Sequence, residues 1–107
     1  MQRKVRTEIY FGLTRKDARE VKPNEWSAFL EQVVTRLFPA GFTVIDAYGQ
    51  WRDESGRIVH EPSKLVIVLH DWDSTSAKKL EEIQSEYMKR FGQESVIRSN
   101  QAAFVDF

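Results

Sequence analysis

The hydrophobic pattern of the chain begins with an alternation over residues 5–13. Every second residue from Val5 is apolar or threonine, whereas Arg6, Glu8 and Tyr10 occupy the positions between them. A period of two is typical of a β-strand with one face on a core. Residues 5–13 are therefore predicted to form the first strand, and the charged residues 14–21 an exposed loop.

Two later stretches repeat their apolar residues every three or four positions, which is the period of an amphipathic helix. The first covers residues 23–38, with Pro23 suited to the first helical position. The second covers residues 73–91, and either Asp73 or Ser74 can cap its start. Both stretches are predicted to be helices with one buried face.

The segment between the helices, residues 42–69, is rich in β-formers and is interrupted by Glu54-Ser55-Gly56. Two β-rich runs around a Ser-Gly turn predict a hairpin. If Ser55-Gly56 is a two-residue turn, Arg52 and Glu61 come close to each other across the strands.

Residues 65–69 are apolar at five successive positions, a pattern typical of a strand that is covered on both faces. Pro62 cannot donate to a ladder, so it predicts a bulge or a break just before that run. After the second helix, residues 95–98 and 102–107 read as extended, as one strand broken at residues 99–100.

The order strand, helix, strand, strand, helix, strand predicts a single domain over residues 1–107 with a ferredoxin-like fold. In this βαββαβ sandwich, a four-stranded antiparallel sheet carries both helices on one face, and the first and third strands are central. The other face of the sheet is then uncovered.

The uncovered face receives Glu8 and Tyr10 from the first strand, because Val5, Ile9 and Phe11 face the helices. From the third strand it receives one of two aliphatic sets. Exposed aliphatic patches often mark an interface or a ligand pocket, so we expect a homodimer or a ligand at this face. The alternative sets are Val66, Val68 and His70, or Leu65, Ile67 and Leu69.

The composition of the chain excludes several classes of function. The 107 residues include 16 basic and 16 acidic side chains and no cysteine, which excludes disulfides, thiol nucleophiles and cysteine-ligated metal. The balanced charge argues against a nucleic-acid partner. Residues 9–13 resemble the first-strand motif of RNA-recognition domains, but residues 65–69 lack the aromatic rings that stack on bases.

No apolar run is long enough to cross a bilayer, and no signal-peptide pattern follows Met1. A cytoplasmic location is therefore expected, without a membrane partner.

The hairpin carries a polar cluster of candidate ligand-binding residues: Gln50, Arg52, Glu61 and Lys64. Arg52 and Lys64 could bind a polar or anionic ligand that Gln50 orients. The alternative is that these side chains form cross-strand pairs that fix the register of the hairpin.

Gln93 and Glu94, which follow the second helix, are secondary candidates for the same pocket. Their alternative role is that of a polar linker after the helix stop at Gly92.

Tyr10 and His70 are candidates for an acid–base pair on the uncovered face, because histidine titrates near neutral pH. The alternative is a histidine at the surface. His70, Asp71 and Asp73 could ligate a divalent ion, but Asp73 is already explained as a helix cap and no second histidine-rich segment follows. No metal or cofactor is predicted.

Several blocks along almost the whole chain resemble those of one family. They are Thr7-Glu8-Ile9-Tyr10-Phe11-Gly12-Leu13, Phe38-Pro39 with Gly41-Phe42-Thr43-Val44, Tyr48-Gly49-Gln50-Trp51-Arg52, Glu61-Pro62-Ser63-Lys64 and Arg90-Phe91-Gly92-Gln93-Glu94-Ser95-Val96. The sequence is similar to the small bacterial family of unknown function DUF3574. The resemblance implies no activity, but Tyr10, Gln50, Arg52, Glu61, Lys64, Gln93 and Glu94 lie inside the matching blocks.

The sequence therefore favours a dimerising ligand-binding or assembly module with a polar site near the central hairpin. The alternative is a small α+β enzyme that uses Tyr10, His70 or Glu61 as an acid or a base.

Overall fold

The structure is a computed structural model that describes residues 1–107. The chain forms strand β1, helix α1, strands β2 and β3, helix α2 and strand β4. Helix α1 starts as Pro23–Phe29, widens into the π-helical turn Leu30–Val34 and ends as Thr35–Leu37. The other bounds are β1 Gln2–Gly12, β2 Thr43–Arg52, β3 Ile58–His70, α2 Ser74–Phe91 and β4 Ile97–Val105.

The four strands form one antiparallel sheet in the order β2-β3-β1-β4. β1 and β3 are central, as the ferredoxin-like fold requires, so the predicted fold class is confirmed. Ile9 lies opposite Val66, and Thr7 lies opposite Val68. All four side chains are fully buried, which shows that this face of the central strands lies under the helices.

The core between sheet and helices is built around aromatic rings. Phe11, Trp26, Phe29, Tyr87 and Phe91 pack mainly edge to face, with 4.7 Å between the ring centroids of Phe11 and Tyr87 and 5.1 Å between those of Phe29 and Tyr87. These geometries suit the ring quadrupoles. The aromatic cluster fastens both helices to the end of β1.

The segment predicted as an exposed loop, residues 14–21, contributes one core residue. The Val21 amide donates to the Leu13 carbonyl at 2.7 Å, and the Val21 side chain is buried in the core. Thr14 and Glu20 form an isolated bridge within the same segment. The run of charges concealed this single inward-facing apolar position.

The hairpin turn differs from the prediction. Residues 53–57 connect the strands, and the Asp53 carboxylate accepts from the amides of Ser55 and Arg57 at 3.0 and 2.9 Å. Arg52 therefore lies opposite Ile58, whereas Glu61 lies opposite Gly49. The prediction that Arg52 and Glu61 approach each other is wrong, because the Asp53 side chain organises a longer turn than Ser55-Gly56 alone would form.

Pro62 causes neither a bulge nor a break, since β2 and β3 pair continuously past it. Its carbonyl accepts from the Leu13 amide at 3.1 Å, just beyond the end of β1. A residue other than proline at position 62 could have donated its amide N–H to the Leu13 carbonyl. Here that carbonyl accepts from the Val21 amide instead. The missing N–H of Pro62 therefore leaves no ladder partner unsatisfied.

Two further strand predictions need correction. β4 is continuous, because Ser99 and Asn100 pair with Glu8 and Thr7 rather than interrupting the strand. The apolar run of β3 is covered on one face rather than on both, since Leu69 is 47% exposed while Val68 is fully buried.

The start of α2 depends on an ionised side chain. The Asp73 carboxylate accepts from the Ser76 amide at 2.7 Å, so Asp73 rather than Ser74 is the cap. That hydrogen bond holds the pKa of Asp73 below its usual range. The helix ends as predicted, with Lys89 and Arg90 in the last turn and Gly92 in the left-handed conformation.

Because the pKa of Asp73 is lower in the folded state than in the unfolded state, the ionised cap stabilises the fold at any pH above the unfolded-state pKa. This contribution is lost as the pH falls through the folded-state pKa. We expect the protein to lose stability below about pH 4, and Asp73→Asn, which retains a cap without a charge, to make this loss shallower. Urea midpoints measured between pH 2 and 7 check this. An unchanged pH profile in Asp73→Asn would contradict it.

Neither helix is both long enough and apolar enough to cross a membrane.

Candidate functional site

The face of the sheet opposite the helices has an aliphatic half and a polar half. Leu65 and Ile67 are half-buried there, and Leu69 and Ile45 are 47% and 44% exposed. The set Leu65, Ile67 and Leu69 thus occupies this open face, whereas Val66, Val68 and His70 lie on the helix side.

The polar half of the open face is internally bonded. Arg6 pairs with Glu8 at 2.9 Å, and the Tyr10 hydroxyl donates to the other oxygen of Glu8 at 3.0 Å. The hydrogen bond that Tyr10 donates to Glu8 raises the pKa of the Tyr10 hydroxyl, so the hydroxyl stays protonated at neutral pH.

The proposed Tyr10–His70 acid–base pair does not exist. Tyr10 is on the open face, opposite Leu65, while His70 lies opposite the buried Val5 on the helix side. Because successive residues of a strand point to opposite faces, the even-numbered Tyr10 of β1 and the even-numbered His70 of β3 fall on different sides in this register. An enzyme that uses both groups together is therefore ruled out.

A pocket of about 330 Å³ lies where the β2–β3 hairpin meets the turn between α2 and β4. We call it the hairpin pocket. Ten residues line it: Thr14, Lys16, Trp51, Val59, His60, Glu61, Gly92, Gln93, Glu94 and Ser95. It brings together three of the predicted site residues, Glu61, Gln93 and Glu94.

Glu61 is held in the hairpin pocket by the end of β1. Its Oε2 accepts from the Thr14 amide at 3.0 Å. A Cβ at Gly12 would lie 2.7 Å from that oxygen and 2.9 Å from the carboxyl carbon, so the carboxylate occupies space that only a glycine leaves free. Glu61 Oε1 has no hydrogen-bond partner within the chain and is available to a ligand.

Gln93 and Tyr87 fasten the same end of β1 from the other side. Gln93 Nε2 donates to the Thr14 carbonyl, and the buried Tyr87 hydroxyl donates to the Gly12 carbonyl at 2.6 Å. Burial raises the pKa of the Tyr87 hydroxyl above its usual range, and the Glu61 carboxylate acts in the same direction. Tyr87 therefore stays a neutral donor that positions the backbone beside Glu61.

The remaining predicted site residues do not line the hairpin pocket. Lys64 pairs with Asp46, and Arg52 Nη1 donates to the Gly56 carbonyl in the turn at 3.0 Å. Gln50 accepts from the Tyr48 hydroxyl at 3.2 Å. Of these contacts, only the pair of Lys64 and Asp46 joins the two strands, as in the cross-strand alternative, whereas the other two lie within β2 or reach into the turn.

The electrostatics of the hairpin pocket differ from those of an anion site. Lys16, its one lysine, lies 3.4 Å from Glu94, and both side chains are exposed. The Glu61 carboxylate has no cationic partner, so the pocket as a whole carries excess negative charge. The Trp51 ring, 47% exposed, supplies an aromatic surface beside it.

Seven of the ten lining residues were not among the sequence-based candidates, and these include Thr14, Lys16, Trp51 and His60. Thr14 contributes through its backbone, which leaves no mark in a sequence. Trp51 and His60 belong to the hairpin already singled out, so a search for aromatic neighbours of Glu61 could have found them.

The chain is a ferredoxin-like α+β protein with a pocket beside the central hairpin. It belongs to the family DUF3574, proteins of unknown function, whose model matches residues 6–107. No curated protein gives a significant match.

Solved structures of a phage SAM lyase are similar in fold. The form in complex with S-methyl-5'-thioadenosine is 20% identical, has a TM-score of 0.68, and the match covers 92% of this chain and 80% of that chain. The apo form is 19% identical with a TM-score of 0.68, and the match covers 92% and 79% of the two chains.

Proposed function

We propose that this protein is a self-associating ligand-binding module whose hairpin pocket binds a small organic cation. The observation that carries the proposal is the fixed Glu61 carboxylate, with one oxygen on the Thr14 amide and the other unpartnered. A carboxylate that is held in place and not neutralised by the chain favours a positively charged ligand. An anionic ligand is disfavoured, because Arg52 and Lys64 lie outside the pocket.

Trp51 supports the same ligand class. A cation placed over an aromatic ring gains about 0.5–2 kcal/mol, and Trp is the strongest such partner. Glu61 and Trp51 both line the pocket, so one ligand can contact both. The volume of about 330 Å³ lies at the lower end of the range for small-molecule sites.

SAM is the first ligand to test. It carries a sulfonium charge next to an adenosine, and the similar fold is that of a SAM lyase. S-adenosylhomocysteine differs by one methyl group and has a neutral sulfur. If the charge of Glu61 selects the ligand, SAM binds more tightly than S-adenosylhomocysteine by at least tenfold.

Glu61→Gln is expected to weaken SAM binding by at least tenfold and to remove most of the preference for SAM over S-adenosylhomocysteine. The amide keeps the size of the side chain but removes its charge. Isothermal titration calorimetry measures both ligands, with Glu54→Gln at the exposed hairpin turn as the matched control. Equal affinity of the wild type for both ligands would overturn the proposal.

A lyase acting on a sulfonium compound is the second candidate function, and the unpartnered Glu61 oxygen favours it. Glu61 would remove a proton from the amino-acid chain of the ligand, at the carbon next to the one that is bonded to sulfur. The C–S bond then breaks, its electron pair stays on the sulfur, and S-methyl-5'-thioadenosine leaves together with an unsaturated amino acid. Chromatography of SAM incubated with the protein detects S-methyl-5'-thioadenosine, and Glu61→Gln should abolish its release. Binding without release leaves the module without a lyase activity.

Self-association is proposed through the aliphatic half of the open face. Leu69, Ile67 and Ile45 form a continuous apolar surface that the two helices do not cover. Burying such a surface against a second copy gains about 25 cal/mol per Å² of apolar area removed from water.

Leu69→Lys is expected to shift the protein from dimer to monomer in sedimentation velocity runs at two concentrations. The charge lies on the open face, where a second copy would desolvate it. Ile58→Lys is the matched control, because Ile58 is equally exposed, at 48%, but points to the helix side of the same strand. A wild-type monomer at both concentrations would contradict self-association.

A further inference from the structure

A second groove lies at the other end of β1 from the hairpin pocket. It has a volume of about 320 Å³ and runs between the start of α2, the end of β3 and the edge strand β4. We call it the α2 groove. Its floor is apolar, formed by Val5, Ala77, Leu80 and Ala102.

One wall of the α2 groove is a fixed row of polar side chains across three strands. The hydroxyl of Thr7, which is fully buried, donates to Asn100 Oδ1 at 2.8 Å, and His70 Nε2 lies 2.6 Å from the same hydroxyl oxygen. The other ring nitrogen of His70 lies 2.9 Å from the Asp71 carbonyl. Each group in the row is fixed by at least one bond, so the wall is set before any ligand arrives.

The acidic side chains at the α2 groove are already engaged. Asp71 pairs with Lys4 at 2.6 Å, and Asp73 caps α2 through the Ser76 amide. Asp71 is thus neutralised by Lys4, whereas Asp73 keeps its charge at the helix start.

Two side chains from β4 bring unengaged donors to the α2 groove. Arg98 is half-buried, forms no ion pair, and donates to the Ala77 carbonyl at the long distance of 3.4 Å. Asn100 uses its Oδ1 for Thr7, so its amide nitrogen still needs an acceptor. A guanidinium and an amide N–H beside an apolar floor match a carboxylate attached to a small apolar body.

We propose that the α2 groove is a second binding site, one that takes a small organic carboxylate. Arg98 and Asn100 hold the carboxylate, and the apolar body packs on Leu80 and Val5. The site shares no lining residue with the hairpin pocket, and its charge preference is the opposite. It therefore stands whether or not the hairpin pocket binds a cation.

The experiment uses phenylacetate as the probe and phenylacetamide as its neutral counterpart, followed by ¹H–¹⁵N correlation spectra of the full chain. Phenylacetate is expected to shift the amide signals of residues around Ala77 and Asn100, with phenylacetamide at least tenfold weaker. Arg98→Gln should weaken phenylacetate binding at least tenfold, while Arg57→Gln, in the distant hairpin turn, leaves it unchanged.

Three outcomes would overturn the proposal: no shifts at the α2 groove, equal binding of the acid and its amide, or shifts that persist in Arg98→Gln. If Arg98→Gln proves unfolded, Asn100→Ala provides the second variant. Asn100 is exposed at the edge strand, and the Thr7 hydroxyl keeps its contact with His70 when the Asn100 side chain is removed. A fivefold or larger loss of phenylacetate binding is expected in this variant.

Discussion

Phe29→Ala is expected to lower the free energy of unfolding by about 3–5 kcal/mol, the range measured when a buried phenylalanine is removed from a core. Phe29 is fully buried, and its ring centroid lies 5.7 Å from that of Phe11 and 5.1 Å from that of Tyr87. The rings around it belong to both helices and to β1, so no single element can move to fill the cavity. The total free energy of unfolding of a domain of this size is about 5–15 kcal/mol, so this single change removes a substantial part of it.

Urea unfolding followed by tryptophan fluorescence measures the loss. Phe104→Ala is the matched control, because Phe104 is 70% exposed on β4. Its free energy of unfolding should stay within about 0.5 kcal/mol of the wild-type value. Similar losses in the two variants would show that the aromatic cluster is not what holds α1 and α2 on the sheet.

The elements that the sequence predicts well are those whose pattern is local. The alternation around Val5 predicts β1, and the three- to four-residue spacing after Pro23 predicts α1. The rest of the fold buries the apolar face of each element, so tertiary packing favours the same structure as the local pattern. The end of α2 is predicted to the residue, because Gly92 supplies a left-handed conformation that a helix end favours.

The errors occur where a single side chain, rather than a repeating pattern, decides the local structure. The Asp53 carboxylate fixes the length of the hairpin turn, and that length sets which β3 residue faces Arg52. A second undecided point is the face of β3 that lies under the helices, which carries Val66 rather than Leu65. Five successive apolar residues carry no information on which of the two faces is inward, so the sequence alone left both sets open.

Part of the candidate site was also predictable. Glu61 stands out as part of the polar cluster of the hairpin and Gln93 as a polar residue after the second helix, and the structure brings both to the end of β1. What joins them is the backbone of Thr14 and the missing side chain of Gly12. Neither has a sequence signal, because the requirement arises from residues 47 to 81 positions away along the chain.

Gly12→Ala is expected to have opposite effects in two backgrounds. In the wild type, the new Cβ would lie within 2.9 Å of the Glu61 carboxylate, which must then leave the Thr14 amide. Losing a hydrogen bond to a charged group costs about 1.5–3 kcal/mol of stability. The displaced carboxylate also no longer faces a ligand correctly, so SAM binding at the hairpin pocket should fall at least tenfold.

In a Glu61→Ala background the same Gly12→Ala change meets no carboxylate. Gly12 is not among the glycines with positive φ, so alanine fits its backbone without strain. Alanine then restricts the unfolded chain and should raise stability by about 0.4–1 kcal/mol. Urea unfolding of the four proteins in this double-mutant cycle gives the coupling between the two positions. An equal effect of Gly12→Ala in both backgrounds would mean that Gly12 does not make room for Glu61, and that the carboxylate is free to rotate rather than held for a ligand.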